Sequence, residues 1–444
     1  MKVFFVSLGC DKNLVDSEVM LGLLKEGGYE ITDNEDEADV AVVNTCSFIL
    51  DAQDESVETI LQMAEKKNES LKVLIVTGCL AQRYEAEIKT EIPEVDAVLG
   101  TNSYDKIVEA ANEALEGNFY DECSPLKGIP EVNTERIIST PSHYAFLKIA
   151  EGCNKKCTYC IIPSLRGSYR SVPMEKLVSE ARTLAEKGVK ELILVAQETT
   201  VYGIDLYGKK SLPELISRLS EIEQIRWIRI LYCYPEEITD ELINVIKTNE
   251  KVCHYLDLPI QHVNDDVLKS MGRRTTNKEL SGLIKKLREE IPDIALRTTL
   301  IAGFPGETNE AHEDVLRFIN EAEFDRLGCF TYSREDGTKA ACFENQIADE
   351  VKASRRDDIM ELQSEICADI NEGLIGNEYE VIIDGYIPEE NTYVARSFRD
   401  APDVDGYVFI ETDRKSLMSG DMVRVKISGA HEYDLIGELT DESA

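Results

Sequence analysis

The sequence predicts an α/β protein in three parts. An N-terminal doubly wound parallel sheet leads into a central partial (β/α)6, TIM-like barrel. A small C-terminal five-stranded β-barrel of OB-like character closes the chain. Three observations predict this. Short Val/Ile-rich runs alternate with helical patterns in the first 122 residues, which is the signature of βαβ units. Six more strand–helix units follow in a row. Near Gly376 the texture then changes to short alternating strands separated by Gly and Pro turns. The length of 444 residues agrees, since at ~150 residues per domain it corresponds to about three domains.

In the first part, strands are predicted at 2–7, 39–44, 72–77 and 96–99, with helices at 17–26 and 54–67 between them. The expected boundaries are 1–122 for this domain and 123–142 for a linker containing Pro125, Pro130 and Pro141. In the central domain, 143–371, strands are predicted at 145–150, 191–196, 227–232, 255–259, 295–301 and 326–332. Helical stretches separate them at 174–187, 212–221, 240–247, 277–290 and 311–322, and a last helix near 347–371 leads out. Barrels of this kind carry their chemistry at the C-terminal ends of the strands. In the final domain, 372–440, strands are expected at 378–384, 392–396, 406–410, 421–428 and 434–438.

Apolar residues make up 43% of the chain and charged residues 30%, so several cores can be buried. The 85 acidic and 48 basic residues give a net charge of −37. That balance argues against a general basic surface for holding nucleic acid. A basic partner fits it, as does a purely solubilising role. No apolar run approaches the ~18 residues of a membrane span. The apolar start, 1–10, runs straight into Asp11-Lys12-Asn13 without a cleavage site, so it is expected to be a buried strand rather than a signal peptide. Twelve cysteines in such a chain are expected in a reducing cytoplasm, as metal ligands and ordinary thiols.

Cys153-x3-Cys157-x2-Cys160 follows the predicted strand 145–150. Three thiolates on one tight loop can hold three irons of a [4Fe–4S] cluster and leave the fourth iron open. A structural zinc is the alternative, but no fourth Cys or His lies nearby in sequence. A second, dispersed set is Cys10, Cys46 and Cys79, each just after a predicted strand. In a parallel sheet all strand C-terminal ends share one edge, so these three can converge on a second metal cluster. Gly9 and Gly78 would allow close approach of the backbone to a bulky inorganic body. The alternative is three small buried thiols.

The C-x3-C-x2-C pattern resembles the radical S-adenosylmethionine (SAM) superfamily. With the dispersed trio, the whole chain resembles the methylthiotransferase branch of that superfamily: an N-terminal methylthiotransferase domain, a radical SAM barrel and a TRAM domain. Two substrate types compete within the branch, an adenosine of transfer RNA and an aspartate of small-subunit ribosomal protein number twelve. The residues here resemble the ribosomal-protein type. They are Ser7-Leu8-Gly9-Cys10 with Lys12 to Glu18, Cys160-Ile161-Ile162-Pro163-Ser164 with Arg166-Gly167, and Val195 to Gly203. Asp257 to His262, Arg297-Thr298-Thr299, Gly303 to Thr308 and Phe324 to Gly328 continue the match. In the last domain Ala395-Arg396-Ser397, Asp400-Ala401-Pro402 and Asp405-Gly406 are distinctive of the type. Asp11, Arg334 and Lys339 depart from it, and none is a ligand.

The resemblance implies two [4Fe–4S] clusters, one on Cys153, Cys157 and Cys160 that binds SAM, and an auxiliary one on Cys10, Cys46 and Cys79. It implies reductive cleavage of one SAM to an adenosyl radical, with an electron donor as partner, and methylation of cluster-held sulfur by another. The radical takes hydrogen from the aspartate β-carbon, and the product is 3-methylthioaspartate. Tyr159 is expected near the adenine, or simply packed in its loop. Gln197 and Glu198 are candidate SAM contacts, with a loop hydrogen bond as the alternative. Arg297 is offered to the SAM carboxylate or to the substrate. The segment from Gly376 to Ala444 has 16 acidic against 6 basic residues. That argues against RNA as its partner and favours a basic ribosomal protein.

Overall fold

The computed structural model describes residues 1–132, 134–412 and 416–440. The chain divides into two compact units. One comprises Met1–Ser139, Ala150–Val172 and Ser333–Ala341, and the other Thr140–Ile149, Pro173–Tyr332 and Cys342–Ala444.

The first unit is built on six parallel strands: β1 (Lys2–Ser7), β2 (Glu30–Thr32), β3 (Val40–Thr45), β4 (Val73–Gly78), β5 (Ala97–Leu99) and β6 (Tyr120–Glu122). Their order is β2-β1-β3-β4-β5-β6, so the winding direction reverses between β1 and β3. Alternate residues of one strand serve opposite faces, as a period of two requires. Val40 and Val42 of β3 join the core beneath helices α1 (Asp11–Glu26) and α5 (Ile107–Leu115). Ala41 and Val43 join the opposite core, beneath α2 (Leu50–Glu65), α3 (Cys79–Arg83) and α4 (Glu85–Glu91). β3 and β4 are buried along their whole length, which is why they read as continuous apolar runs rather than alternating ones. The same unit takes in a hairpin of two short antiparallel strands, β8 (Ala150–Glu151) and β9 (Arg170–Ser171), with helix α6 (Ile162–Arg166) in its loop.

The second unit contains β7 (Tyr144–Lys148), β10 (Glu191–Val195), β11 (Trp227–Ile230), β12 (Tyr255–Asp257), β13 (Ala295–Ala302) and β14 (Arg326–Thr331). These six strands stand where the sequence places them. They form two parallel three-stranded sheets, β11-β10-β7 and β12-β13-β14. The seam between them is bridged by Ile228 with Val252 and by the Cys233 N–H donating to Asp257 O at 2.9 Å. The last domain is a closed barrel of β15 (Glu378–Ile387), β16 (Thr392–Ser397), β17 (Val408–Glu411), β18 (Met422–Ala430) and β19 (Leu435–Leu439). Its core is Val381, Ile383, Tyr393, Val408, Ile410, Val425 and Ile427.

Buried charges join this barrel to the β7–β14 sheets. Glu191 of β10 accepts from Arg229 Nε at 2.7 Å and from Arg396 Nη1 at 2.9 Å, with all three side chains fully buried. Arg396 continues to Asp384 at 2.7 Å, Arg326 pairs with Asp400 at 2.6 Å, and Arg399 pairs with Asp325. The Asp405 carboxylate accepts from Tyr255 Oη at 2.7 Å and from the Ala401 N–H at 2.9 Å. Arg396, Arg399, Asp400 and the Asp405 carboxylate are therefore turned inward, while Asp403 and Val404 stay exposed. These buried charges dock the barrel onto the sheets.

Candidate functional site

Cys10 ends the turn between β1 and α1, Cys46 follows β3, and Cys79 opens α3 directly after β4. β1 and β3 flank the reversal point, the crevice where open α/β sheets bind ligands. Register brings the three ends level: Ser7 lies beside Asn44, and Thr45 beside Gly78. Cys46 and Cys79 are thus the next residues along two neighbouring strands.

A polar scaffold holds these turns. Asn13 Nδ2 donates to Leu8 O at 3.0 Å and to Thr45 O at 2.9 Å. Asn44 Nδ2 donates to Asn13 O at 3.0 Å and to Ser17 Oγ at 2.8 Å. Thr45 Oγ1 donates to Thr77 O at 2.6 Å and accepts from the Leu80 N–H at 3.1 Å. Ser56 Oγ exchanges hydrogen bonds with the backbone N and O of Cys46, both at 3.0 Å.

The glycines are also required by packing. A Cβ on Gly9 would lie 2.8 Å from Cys46 Cβ and 3.0 Å from its Sγ, and one on Gly78 would lie 2.3 Å from Asn44 Oδ1 and 2.6 Å from Thr45 O. Both have positive φ, +88° and +93°. Both are needed because neighbouring turns close on one another. Gly78→Ala is expected to displace Cys79, since the crowding atoms are largely backbone. Strain of ~1–3 kcal/mol from the conformation alone should appear as a lower melting temperature, together with loss of about half the bound iron.

Burial pushes the Cys46 thiol up to about 11, with the neighbouring Cys79 and Cys10 adding to the shift. Burial also raises the Cys79 thiol, against the pull of Arg166. Burial keeps the Cys46 and Cys79 thiols protonated, and a metal cation bound between them would favour their thiolates. All are free of disulfides. These soft donors, on three separate turns, fit an iron–sulfur cluster. Among the described residues no three His, Cys, Asp or Glu close around a single ion. Ligands of a cubane bind different irons, so a cluster trio is spread more widely than a trio around one ion.

Cys153, Cys157 and Cys160 lie in the loop between β8 and α6. The Cys153 N–H donates to Gly167 O at 3.1 Å, and the Cys160 N–H to Cys157 O at 3.2 Å. The Lys155 N–H points at Cys153 Sγ from 3.4 Å, which favours a thiolate there. Burial pushes the Cys160 thiol up to about 12, with Cys157 and Cys153 adding to it. Gly152, at φ +77°, has no room for a Cβ, which would meet Ser168 O at 2.3 Å. Tyr159 is half-buried in this loop.

Both trios belong to the same compact unit, and Cys79 packs against Ile161 and Leu165, just beyond Cys160. A strap, Ser333–Ala341, ties their loops together. Ala340 N–H donates to Thr158 O at 2.9 Å. Buried Glu335 accepts from Arg83 Nη1 at 2.9 Å and from Gln53 Nε2 at 2.8 Å. Arg83 also reaches Ser47 Oγ at 3.3 Å, beside Cys46. Glu335→Ala leaves Arg83 buried without its carboxylate. A cost of ~3–5 kcal/mol is expected in a denaturant melt followed in this unit.

Three family models match the chain: uncharacterized protein family UPF0004 over residues 2–100, the radical SAM superfamily over 147–319 and the TRAM domain over 375–440. A protein of Lachnoclostridium phytofermentans is 59% identical over 438 residues, covering 98% of this chain and 99% of the relative. Proteins of Acetivibrio thermocellus and Clostridium botulinum are 50% and 51% identical, each covering 100% of this chain and 99% of the relative. All three are named ribosomal protein uS12 methylthiotransferase RimO. This chain belongs to the uS12 methylthiotransferase family. Its fold is shared more widely. The radical SAM methyltransferase TsrM of Kitasatospora setae, solved with cobalamin and a [4Fe–4S] cluster, superposes with a TM-score of 0.55 at 14% identity, covering 76% of this chain and 73% of that one.

The other methylthiotransferase candidates lie in the second unit. Gln197 and Glu198 follow β10 at its C-terminal end. Glu198 is buried and accepts from the Thr200 N–H at 3.2 Å and from Thr200 Oγ1, the loop hydrogen bond considered as its alternative. Arg297 is the third residue of β13, near the strand's N-terminal end. Its guanidinium meets Asp257 at 3.0 Å and Asp405 at 3.3 Å, so two internal carboxylates take the fork offered to SAM or substrate. In the Gly303–Glu307 turn, Glu307 Oε2 accepts from the Gly303 and Phe304 N–H groups at 2.7 and 3.2 Å, and Oε1 meets Arg355 at 3.1 Å. That explains the turn without a ligand. Sequence reasoning missed Asn13, Arg166 and the strap. Asn13 and Arg166 lie within segments that carry the resemblance, close to Cys10 and Cys160, but no role was read from them.

Proposed function

We propose that this chain methylthiolates the β-carbon of an aspartate in ribosomal protein uS12, giving 3-methylthioaspartate. The observation that carries the reading is the placement of two separate cysteine trios in one compact unit, in a chain 50–59% identical over nearly its full length to uS12 methylthiotransferases. Cys153, Cys157 and Cys160 would hold a [4Fe–4S] cluster with one iron left for SAM, and Cys10, Cys46 and Cys79 a second cluster. Bound there, the clusters and SAM supply radical generation by one-electron reduction and the sulfur to be methylated and transferred.

The chain's own contribution is placement and exclusion of water. Asn13, Asn44 and Thr45 fix the three dispersed turns, and the Lys155 N–H supports Cys153. The strap holds both loops so that the reacting groups keep one geometry. Gln197, Glu198 and Tyr159 are the residues we propose for SAM contact. The net charge of −37 supports attraction of a strongly basic protein rather than an RNA. No helix among the described residues is long and apolar enough to cross a membrane; a ribosomal-protein substrate supports a reaction in the cytoplasm. The test is anaerobic incubation of reduced enzyme, SAM and sulfide with uS12 and, separately, with transfer RNA. A net gain of CH2S on the aspartate of uS12 is expected. The same gain on RNA alone would overturn the assignment.

A further inference from the structure

Arg166 is the last residue of α6, six positions beyond Cys160, and it is buried. Its guanidinium is held by the two cysteine-bearing regions at once. Nη1 donates to Asp16 Oδ2 on α1 at 2.7 Å and to Glu151 Oε2 on β8 at 3.2 Å. Nη2 donates to Asn13 Oδ1. The same Asn13 oxygen lies 3.9 Å from Cys79 Sγ. Arg166 itself faces the Cys79 thiol, with Ile161 and Leu165 packed beside it. The Leu165 carbonyl accepts from Thr101 Oγ1 at 2.6 Å, which fixes the helix that carries Arg166 to the parallel sheet. A buried cation with this many fixed partners cannot move away from Cys79 without breaking contacts on both α1 and β8.

We infer that Arg166 is a positioning residue for the auxiliary cluster: its guanidinium sets the charge beside the Cys79 ligand and clamps the dispersed trio to the local one. This deepens the proposed function and rests on Cys10, Cys46 and Cys79 being cluster ligands. The physical ground is electrostatic. A fixed positive charge or a hydrogen-bond donor at a ligand sulfur stabilises the reduced, more negative form of a cluster, and so raises its reduction potential. Asp16 partly neutralises that charge. The two residues must therefore act in opposite directions, which a merely structural clamp has no reason to do.

The test uses the full chain in a Cys157→Ala background, reconstituted anaerobically, so that only the dispersed trio can hold a cluster. Iron is counted, and the midpoint is read by redox titration followed by electron paramagnetic resonance. Arg166→Gln is expected to keep about four irons and shift the midpoint to a more negative value. Arg166→Lys, which keeps the charge but not the fork, should restore part of the shift. Asp16→Asn should move the midpoint the other way. Should Arg166→Gln lose its iron or fail to fold, the sign of the Asp16→Asn shift decides. Four irons with unmoved midpoints, or shifts of one sign in both variants, overturn the inference and leave the ligand assignment standing. No iron in the Cys157→Ala parent overturns both.

Discussion

Cys46→Ala leaves reductive cleavage of SAM intact and abolishes methylthiolation, whereas Cys157→Ala abolishes both. Cys157 belongs to a loop whose other thiols, Cys153 and Cys160, sit within the same few residues, so losing it leaves two ligands where a SAM-binding cluster needs three. Cys46 lies on a different strand end, held by Ser56 at 3.0 Å, with Gly9 close enough that a Cβ there would crowd it. Its removal opens the dispersed trio without touching the local hydrogen bonds of Cys153 and Cys160. The measurement is 5′-deoxyadenosine and methylthioaspartate in the same reduced reaction. The expected result is normal nucleoside with no detectable modified aspartate for Cys46→Ala, and neither product for Cys157→Ala. Loss of 5′-deoxyadenosine in Cys46→Ala, in a protein that retains about four irons, would tie both trios to one step.

The second large effect concerns stability. Glu191 stands between Arg229 and Arg396, all three fully buried. Glu191→Ala leaves two buried guanidinium groups without their shared carboxylate, and breaking such a network costs ~3–5 kcal/mol. Other partners, Phe398 O for Arg229 and Asp384 for Arg396, keep the cost from growing further. Burial alone would raise the Glu191 pKa, but Arg396 and Arg229 outweigh it and hold the carboxyl below its ordinary value. The folded form therefore binds this proton less readily than the unfolded chain does. The stabilisation is complete above the unfolded carboxyl's ~4.3 and is lost as pH falls through the lower folded value. A urea midpoint measured against pH should show a steep acid limb in the wild type. Glu191→Gln should be less stable at neutral pH and show a shallower limb.

The main elements of both units were legible because their patterns are strong. The β3 and β4 runs are continuous and apolar, and the barrel strands recur with helices between them. β2 and β6 were missed because three-residue edge strands, Glu-Ile-Thr and Tyr-Asp-Glu, carry too few residues to display a period. That Cys10, Cys46 and Cys79 follow strands of one sheet and share its C-terminal edge was legible from topology alone. What fixes those turns was not. Arg166 meets Asp16 across 150 positions, and Glu335 meets Arg83 across 252. Single polar residues at such separations leave no periodic signal. The same limit explains Arg297 and the Arg396–Asp405 segment. Sequence marks them as distinctive, but only packing shows that most of their charges face inward.

Iron counting tests the two-cluster site most directly. After anaerobic reconstitution the wild-type chain should hold about eight irons with matching sulfide, and the variant with Cys10, Cys46 and Cys79 all replaced by alanine about four. A wild-type chain that saturates at about four irons, with no change in the triple variant, would contradict the two-cluster site.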